Sequence, residues 1–227
     1  MSQPTPLRGA IFDLDGTLLD TMPAWATLGE RYLRSQGVTP RPGVSEALRP
    51  LSLLQGAQYL RREYGLAHPP EDIIAGVKAL IRHVYEAEAL PKPGAEAFLR
   101  RLAICQVRMC IATATDAALT RAALQRCGLM AYFDGILTCD MVGAGKDNPA
   151  IYRAALSRLG TARADTLVFE DSLHALRTAK GDGFRTVAVC DKSESGQAAL
   201  RALAEVYLPG FDAAEAAWLL STKEDMT

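Results

Sequence analysis

The sequence predicts an α/β fold: a doubly wound, Rossmann-like parallel sheet with an α-helical bundle inserted as a cap. From Pro91 onward, short apolar runs alternate with helical patterns in units of about thirty residues, as βαβ construction requires. Several of those runs stop abruptly on acidic or hydroxyl side chains, which is how parallel strands present their carboxyl ends to a ligand. Residues 22–89, by contrast, hold helical periodicity and no strand candidate.

In chain order, Ala10, Ile11 and Phe12 read as the end of a strand covered on both faces. The run breaks off at Asp13-Leu14-Asp15-Gly16-Thr17. Alternation sends Asp13 and Asp15 to the same side, so like charges converge on one small volume and require either a retained proton or a cation. Gly16 frees the backbone to turn toward a ligand, and a divalent metal with a phosphate suits the place. Met22, Trp25, Leu28, Tyr32 and Leu33 then recur at helical spacing until Gly37. Ser52 and Gln55 form a capping-box pattern ahead of Leu53, Leu54, Ala57 and Leu60. After Pro69 and Pro70, the residues Ile73, Ile74, Val77, Leu80, Ile81 and Val84 make one apolar stripe of a bundle helix.

The insertion is expected at 21–90, between the two parts of a catalytic core at 1–20 and 91–227. Hung after the first strand, it is suited to act as a lid. Past Pro91-Lys92-Pro93-Gly94 the core resumes with a helix at 95–102 and a strand at 107–112. A helix capped by Asp116 and ended by Gly128 follows, then a strand at Ile136–Thr138 and a helix opened by Asn148-Pro149 and closed by Gly160. Strands at 166–169 and 186–189 complete the pattern, with Val206–Leu208 at an edge and a polar tail at 221–227.

The 227 residues are 49% hydrophobic and 22% charged, ample for a packed core. A formal net charge of -1 gives no general attraction to nucleic acid or anionic membrane, so phosphate recognition must be local and the partner small. No apolar run reaches bilayer length and the first residues lack the apolar centre of a signal peptide, so the protein is expected in the cytoplasm. It is expected as a monomer or weak homo-oligomer. The Cys residues number 5, show no Cys-x-x-Cys spacing, and read as reduced core residues.

Three later stretches carry chemistry. Thr113 ends a strand just before a helix, so its hydroxyl and the N–H groups of Ala114 and Thr115 are placed to hold phosphate oxygens. Lys146 ends the flexible run Val142-Gly143-Ala144-Gly145 and suits a clamp on an attacking carboxylate and a transferring phosphoryl group. Glu170 and Asp171 finish another apolar strand with the hard oxygen donors that magnesium takes, and Ser172 is placed to cap the next helix. Taken singly, each has a plainer reading: an Asp-Gly turn, a strand-ending threonine, a solvated lysine, an acidic helix start. Their joint occurrence in this order on a βα chain is far more specific.

On these motifs the chain resembles the haloacid dehalogenase superfamily of phosphohydrolases, in the subgroup with a helical cap after the first strand that includes β-phosphoglucomutase and phosphoglycolate phosphatase. The resemblance implies that Asp13 attacks phosphorus to give an aspartyl-phosphate, with Asp15 as general acid and base. It implies Mg2+ held by Asp13, the backbone carbonyl of Asp15, Glu170 and Asp171, with Thr113 and Lys146 positioning the phosphoryl group. Gly16, Thr17, Ala114 and Thr115 fall on the substrate side. Where the family usually has Lys-Pro, Lys146 is followed by Asp147 and Asn148, with proline delayed to Pro149. Trp25 stands where sugar-phosphate mutases offer a histidine, which favours hydrolysis. Arg49 is the cap candidate for touching substrate, with Lys78 second to it. His174, three residues after Asp171, is a candidate nitrogen ligand for a softer metal, against which magnesium is kept.

The expected function is a magnesium-dependent phosphatase that hydrolyses a small phosphorylated metabolite through an aspartyl-phosphate. Two alternatives stand beside it: a sugar-phosphate mutase, and a non-catalytic phosphoacceptor or signalling module. Receiver domains of the latter kind order their acids differently and lack a helical insertion.

Overall fold

The computed structural model describes residues 7–48, 51 and 53–212. Strand β1 (Gly9–Phe12) is buried along its whole length. Helices α1 (Met22–Ala26), α2 (Leu28–Ser35), α3 (Val44–Leu48), α4 (Leu53–Tyr64) and α5 (Pro70–His83) follow, and α5 runs on into a π-helical segment, Val84–Glu88. Helix α6 (Ala95–Ile104) leads into β2 (Arg108–Thr113), α7 (Ala117–Arg126), β3 (Ile136–Thr138), α8 (Cys139–Val142) and α9 (Ala150–Leu159). The described chain closes with β4 (Thr166–Glu170), α10 (Leu173–Gly181), β5 (Arg185–Val189), α11 (Gln197–Leu203) and β6 (Val206–Leu208).

The strands form one 6-stranded sheet in the order β3-β2-β1-β4-β5-β6, and every neighbouring pair is parallel. This is the doubly wound order, in which the strand sequence reverses direction between β1 and β4. Register matters most at that point. Phe12 pairs with Phe169 on one side and with Ile111 on the other. The Asp13 N–H donates to the Phe169 carbonyl at 3.0 Å, extending the ladder past the strand and setting Asp13 level with Glu170.

Both faces of the central strands are covered, which is why they read as continuous apolar runs. Ile11 and Val168 pack on one face with Ile151, Tyr152 and Ala155 of α9 and Ala179 of α10. On the other face, the Phe12 and Phe169 rings stack with centroids 4.3 Å apart, and Phe98 of α6 meets both edge-on. Burying an aromatic of this size stabilises by roughly 1.5–3 kcal/mol, so the acids that follow β1 and β4 stand on a tightly packed floor.

The chain divides into two compact units: Met1–Asp20 with Ala89–Thr227, which contains the sheet, and Thr21–Glu88. In the second unit α2 and α4 each pack on α5, whose buried stripe is Ile73, Val77 and Ile81.

Some expectations change. The helical run expected from Met22 to Gly37 breaks at Thr27, whose hydroxyl donates to the Pro23 carbonyl at 2.9 Å and ends α1. Helices α3 and α8, of 5 and 4 residues, are too short to show a period in the sequence. The cysteines are free thiols, as expected, but Cys105 is exposed and only Cys110 is buried. Its neighbour Ile104 is likewise 74% exposed at the end of α6. Ser52 and the tail at 221–227 lie outside the described residues.

Candidate active site

Beyond β1 the chain makes a closed turn. Gly16 takes a φ of 80°, its N–H donates to the Leu19 carbonyl at 2.9 Å, and the N–H groups of Leu18 and Leu19 both donate to the Leu14 carbonyl at 2.9 Å. A left-handed residue is needed at Gly16, where any side chain would add strain. Leu14, Leu18 and Leu19 are fully buried, so they anchor the turn in the core while Asp13, Asp15 and Thr17 make its polar contacts.

Those contacts bring together residues far apart in the chain. The Thr17 hydroxyl donates to Asp171 Oδ1 at 3.0 Å, and the Thr115 hydroxyl donates to Asp15 Oδ2 at 2.6 Å. The Lys146 ammonium donates to Asp13 Oδ1 and, at 2.6 Å, to Glu170 Oε1. The Tyr152 hydroxyl donates to the same Glu170 oxygen at 2.9 Å. Asp13, Glu170 and Asp171 are all buried, and each offers a carboxylate oxygen within 4.8 Å of the others. The Asp15 carboxylate is not part of this trio.

Local structure explains how Lys146 gets there. Thr138 ends β3 and caps α8 by accepting the Met141 N–H at 3.3 Å; Gly143, at φ 68°, stops that helix. Asn148 then accepts the Ala150 N–H at 2.9 Å and starts α9. Between these two stops the chain drops the lysine into the site, and the delayed proline does not prevent it.

Among the described residues, one ammonium, that of Lys146, pairs with the three buried carboxylates of the trio, on Asp13 and Glu170. Burial, reinforced by Asp13 and Glu170, pushes the Asp171 carboxyl up to about 9, with the Thr17 hydrogen bond and Lys146 opposing. Burial also raises Glu170, to about 7, against the pull of Lys146. Burial alone would weaken the charge on Lys146, but Asp13 and Glu170 hold its ammonium above the usual lysine range. The Tyr152 phenol is raised by burial and by Glu170, so it stays a donor. Hard oxygen donors crowded in this way, short of positive charge, fit a cation of the magnesium kind.

Thr113 is fully buried and its hydroxyl accepts the Thr115 N–H at 3.0 Å, while Ala114 is exposed. Ser172 occupies the first position before α10 but does not cap it: its hydroxyl pairs with His174 Nδ1 at 2.6 Å. Glu194 accepts the Leu173 N–H there at 3.1 Å instead. His174 is exposed and stands outside the acidic trio. Lys78 is exposed on α5, and the Trp25 indole donates to the Tyr85 hydroxyl at 3.1 Å. Arg49 lies outside the described residues. Tyr152 is the residue sequence reasoning missed. Its signal was a tyrosine in the apolar stripe Ile151, Tyr152, Ala155, Leu159, since a phenol buried in such a stripe needs a polar partner.

A model of the haloacid dehalogenase-like hydrolase family matches residues 7–205. The chain belongs to that family. It is an enzyme, a phosphoric monoester hydrolase, which sets aside the non-catalytic reading. Over 197 residues this hydrolase is 27% identical to a phosphorylated carbohydrates phosphatase of Thermotoga maritima, covering 86% of this chain and 91% of that one. It is similar to the crystal structure of a provisionally assigned beta-phosphoglucomutase from Thermotoga maritima, at 26% identity and a TM-score of 0.80, covering 89% and 94% of the two chains. It is also similar to CbbY from Rhodobacter sphaeroides, solved in complex with phosphate, at 25% identity and a TM-score of 0.70, covering 90% and 95%. Among the described residues no helix is long and apolar enough to cross a membrane.

Proposed function

We propose that this hydrolase is a magnesium-dependent phosphatase of small phosphorylated carbohydrates, working through an aspartyl-phosphate on Asp13. The observation that carries the reading is the convergence of Asp13, Glu170 and Asp171 within 4.8 Å at the switch point of the sheet. The carbohydrate class is supported by the relative in Thermotoga maritima, named as a phosphatase of phosphorylated carbohydrates.

In this reading a carboxylate oxygen of Asp13 attacks phosphorus, and the bond to the substrate alkoxide breaks. Asp15, steadied by Thr115, gives its proton to that alkoxide and later takes one from the water that cleaves the phospho-aspartate. Lys146 screens the approach of two anions by neutralising Asp13 on its Oδ1 side. The Thr113 hydroxyl, with its acceptor side occupied by the Thr115 N–H, is left to donate to a phosphoryl oxygen. Gly16 and Thr17 hold the turn, and the N–H groups at Ala114 and Thr115 line the phosphate side. Asp13, Glu170, Asp171 and the Asp15 carbonyl would hold the Mg2+, which when bound neutralises charge on the phosphoryl oxygens.

Phosphate release from 4-nitrophenyl phosphate with and without Mg2+, for wild type and Asp13→Asn, tests the reading. Release that needs no magnesium, or survives the substitution, rejects it. A mutase remains the second reading because of the Thermotoga maritima structure; isomerised sugar phosphate assayed in parallel decides between them.

A further inference from the structure

Outside the trio, the described residues hold a second ion pair largely withdrawn from solvent, and it lies where the chain returns from the helical insertion. Lys92 Nζ stands 2.8 Å from Asp191 Oδ2 and donates to the Cys190 carbonyl at 2.8 Å. Its side chain is 12% exposed and that of Asp191 7%, so this is no solvated surface pair. Asp191 is held in turn: its Oδ1 accepts the Ser193 N–H at 2.9 Å and its carbonyl accepts from Gln197 Nε2 at 2.6 Å. Cys190 and Asp191 sit just past the carboxyl end of β5, in a segment tied to β6 through the Cys190 N–H, which donates to the Leu208 carbonyl at 2.9 Å.

The other end of Lys92 reaches the active-site turn. Its N–H donates to the Leu18 carbonyl at 2.8 Å, the Asp20 N–H donates to the Leu90 carbonyl at 2.9 Å, and Leu19 and Pro91 form an antiparallel bridge. Leu18 and Leu19 are the residues whose N–H groups close the turn on Leu14. The boundary between the two units falls at Asp20 and Ala89, next to this ladder. A chain of contacts thus runs from β5 through Asp191 and Lys92 to the turn that carries Asp15 and Thr17.

We propose that Lys92 is a positioning residue for phosphoryl transfer: clamped by Asp191 and the Cys190 carbonyl, it holds the return linker against Leu18 and so fixes the aim of Asp15. The inference rests on the reading of Asp15 as the general acid. That dependence also supplies the test. An alkyl phosphate needs a proton delivered to its leaving oxygen, whereas 4-nitrophenolate leaves without one. In kcat/KM, which reports the steps up to departure of the leaving group and not the later hydrolysis of the shared phospho-aspartate, a misaimed Asp15 therefore penalises the alkyl substrate selectively, and a general loosening of the core penalises both.

The full-length chain is assayed with Mg2+ on glycerol 2-phosphate and on 4-nitrophenyl phosphate. Lys92→Met alone strands the Asp191 carboxylate, so the deciding variant is Lys92→Met with Asp191→Asn, which leaves no buried charge. The expected result is a fall of about tenfold in kcat/KM for the alkyl phosphate, with the aryl phosphate within about twofold of wild type. Equal losses on both substrates, or none on either, overturn the inference. Wild type that releases phosphate from neither substrate in the presence of Mg2+ instead overturns the functional reading.

Discussion

Replacing Asp171 with asparagine is expected to stabilise the metal-free protein. Two unit charges 4.8 Å apart at an effective dielectric of 20 repel by about 3 kcal/mol, and Asp171 faces Asp13 and Glu170 at no more than that separation. Burial and these neighbours put its carboxyl at about 9, against 3.8 as its ordinary value. A folded value above the unfolded one means that the stabilising contribution is complete below 3.8 and is lost as pH rises through about 9. Each unit in that window is worth about 1.4 kcal/mol, so by pH 7 the loss is on the order of 4 kcal/mol. The substituted amide would carry no charge at any pH, and its oxygen could still accept from Thr17. At about 2–4 °C per kcal/mol for a chain of this size, Asp171→Asn melts about 8–16 °C above wild type at pH 7 in EDTA. The gap closes toward pH 4 and is widest near pH 9. Thermal melts followed by circular dichroism across that range check it, and a variant melting at or below wild type at pH 8 to 9 in EDTA refutes the electrostatic account. Adding MgCl2 inverts the order, because only wild type keeps the full ligand set.

Tyr152→Phe keeps the packing of α9 but removes a donor from Glu170, and magnesium affinity by calorimetry falls about tenfold. Thr115→Val takes the hydroxyl from Asp15 and lowers kcat/KM for an alkyl phosphate by about tenfold, with Thr115→Ser restoring it. Asp116→Ala removes the side chain that accepts the Ala118 and Leu119 N–H groups at the start of α7, and the melting temperature drops by about 2–4 °C, or about 1 kcal/mol, with kcat unchanged.

Much of this molecule is visible in its sequence because parallel strands advertise themselves. Ile11 and Val168 face one layer of helices while Phe12 and Phe169 face the other, so no polar residue interrupts either run until the strand ends. The abrupt change to Asp13 and to Glu170 therefore marks both the end of a strand and the rim of the sheet. Pairing partners were less legible. Nothing local to Thr115 announces Asp15, and nothing local to Tyr152 announces Glu170, because each contact depends on strand order and helix packing. Ser172 misled for a related reason: a hydroxyl before a helix is a good cap unless a neighbour competes for it, and His174 does. The Lys92 and Asp191 pair was silent because the two residues meet only once β5 and the return linker are both in place.

The position of the insertion follows from the same physics. Asp13 and Glu170 are level because β1 and β4 are in register, and that register is held by Phe12, Phe169 and the Asp13 N–H, none of which belongs to the inserted unit. The two ends of the insertion are closed on each other by the Asp20 to Leu90 and Lys92 to Leu18 hydrogen bonds, so the sheet meets them as it would meet a hairpin. Closing a longer loop costs only about 0.6 kcal/mol per doubling of its length, which leaves the helical unit free to change in size and sequence while the acids stay put. The insertion can then vary without touching the register on which the trio depends, provided the ladder is kept. Because the ladder is made by the backbone N–H groups of Asp20 and Lys92 and the carbonyls of Leu90 and Leu18, it tolerates other side chains at these positions but not a proline in place of Asp20 or Lys92, which would remove a donor.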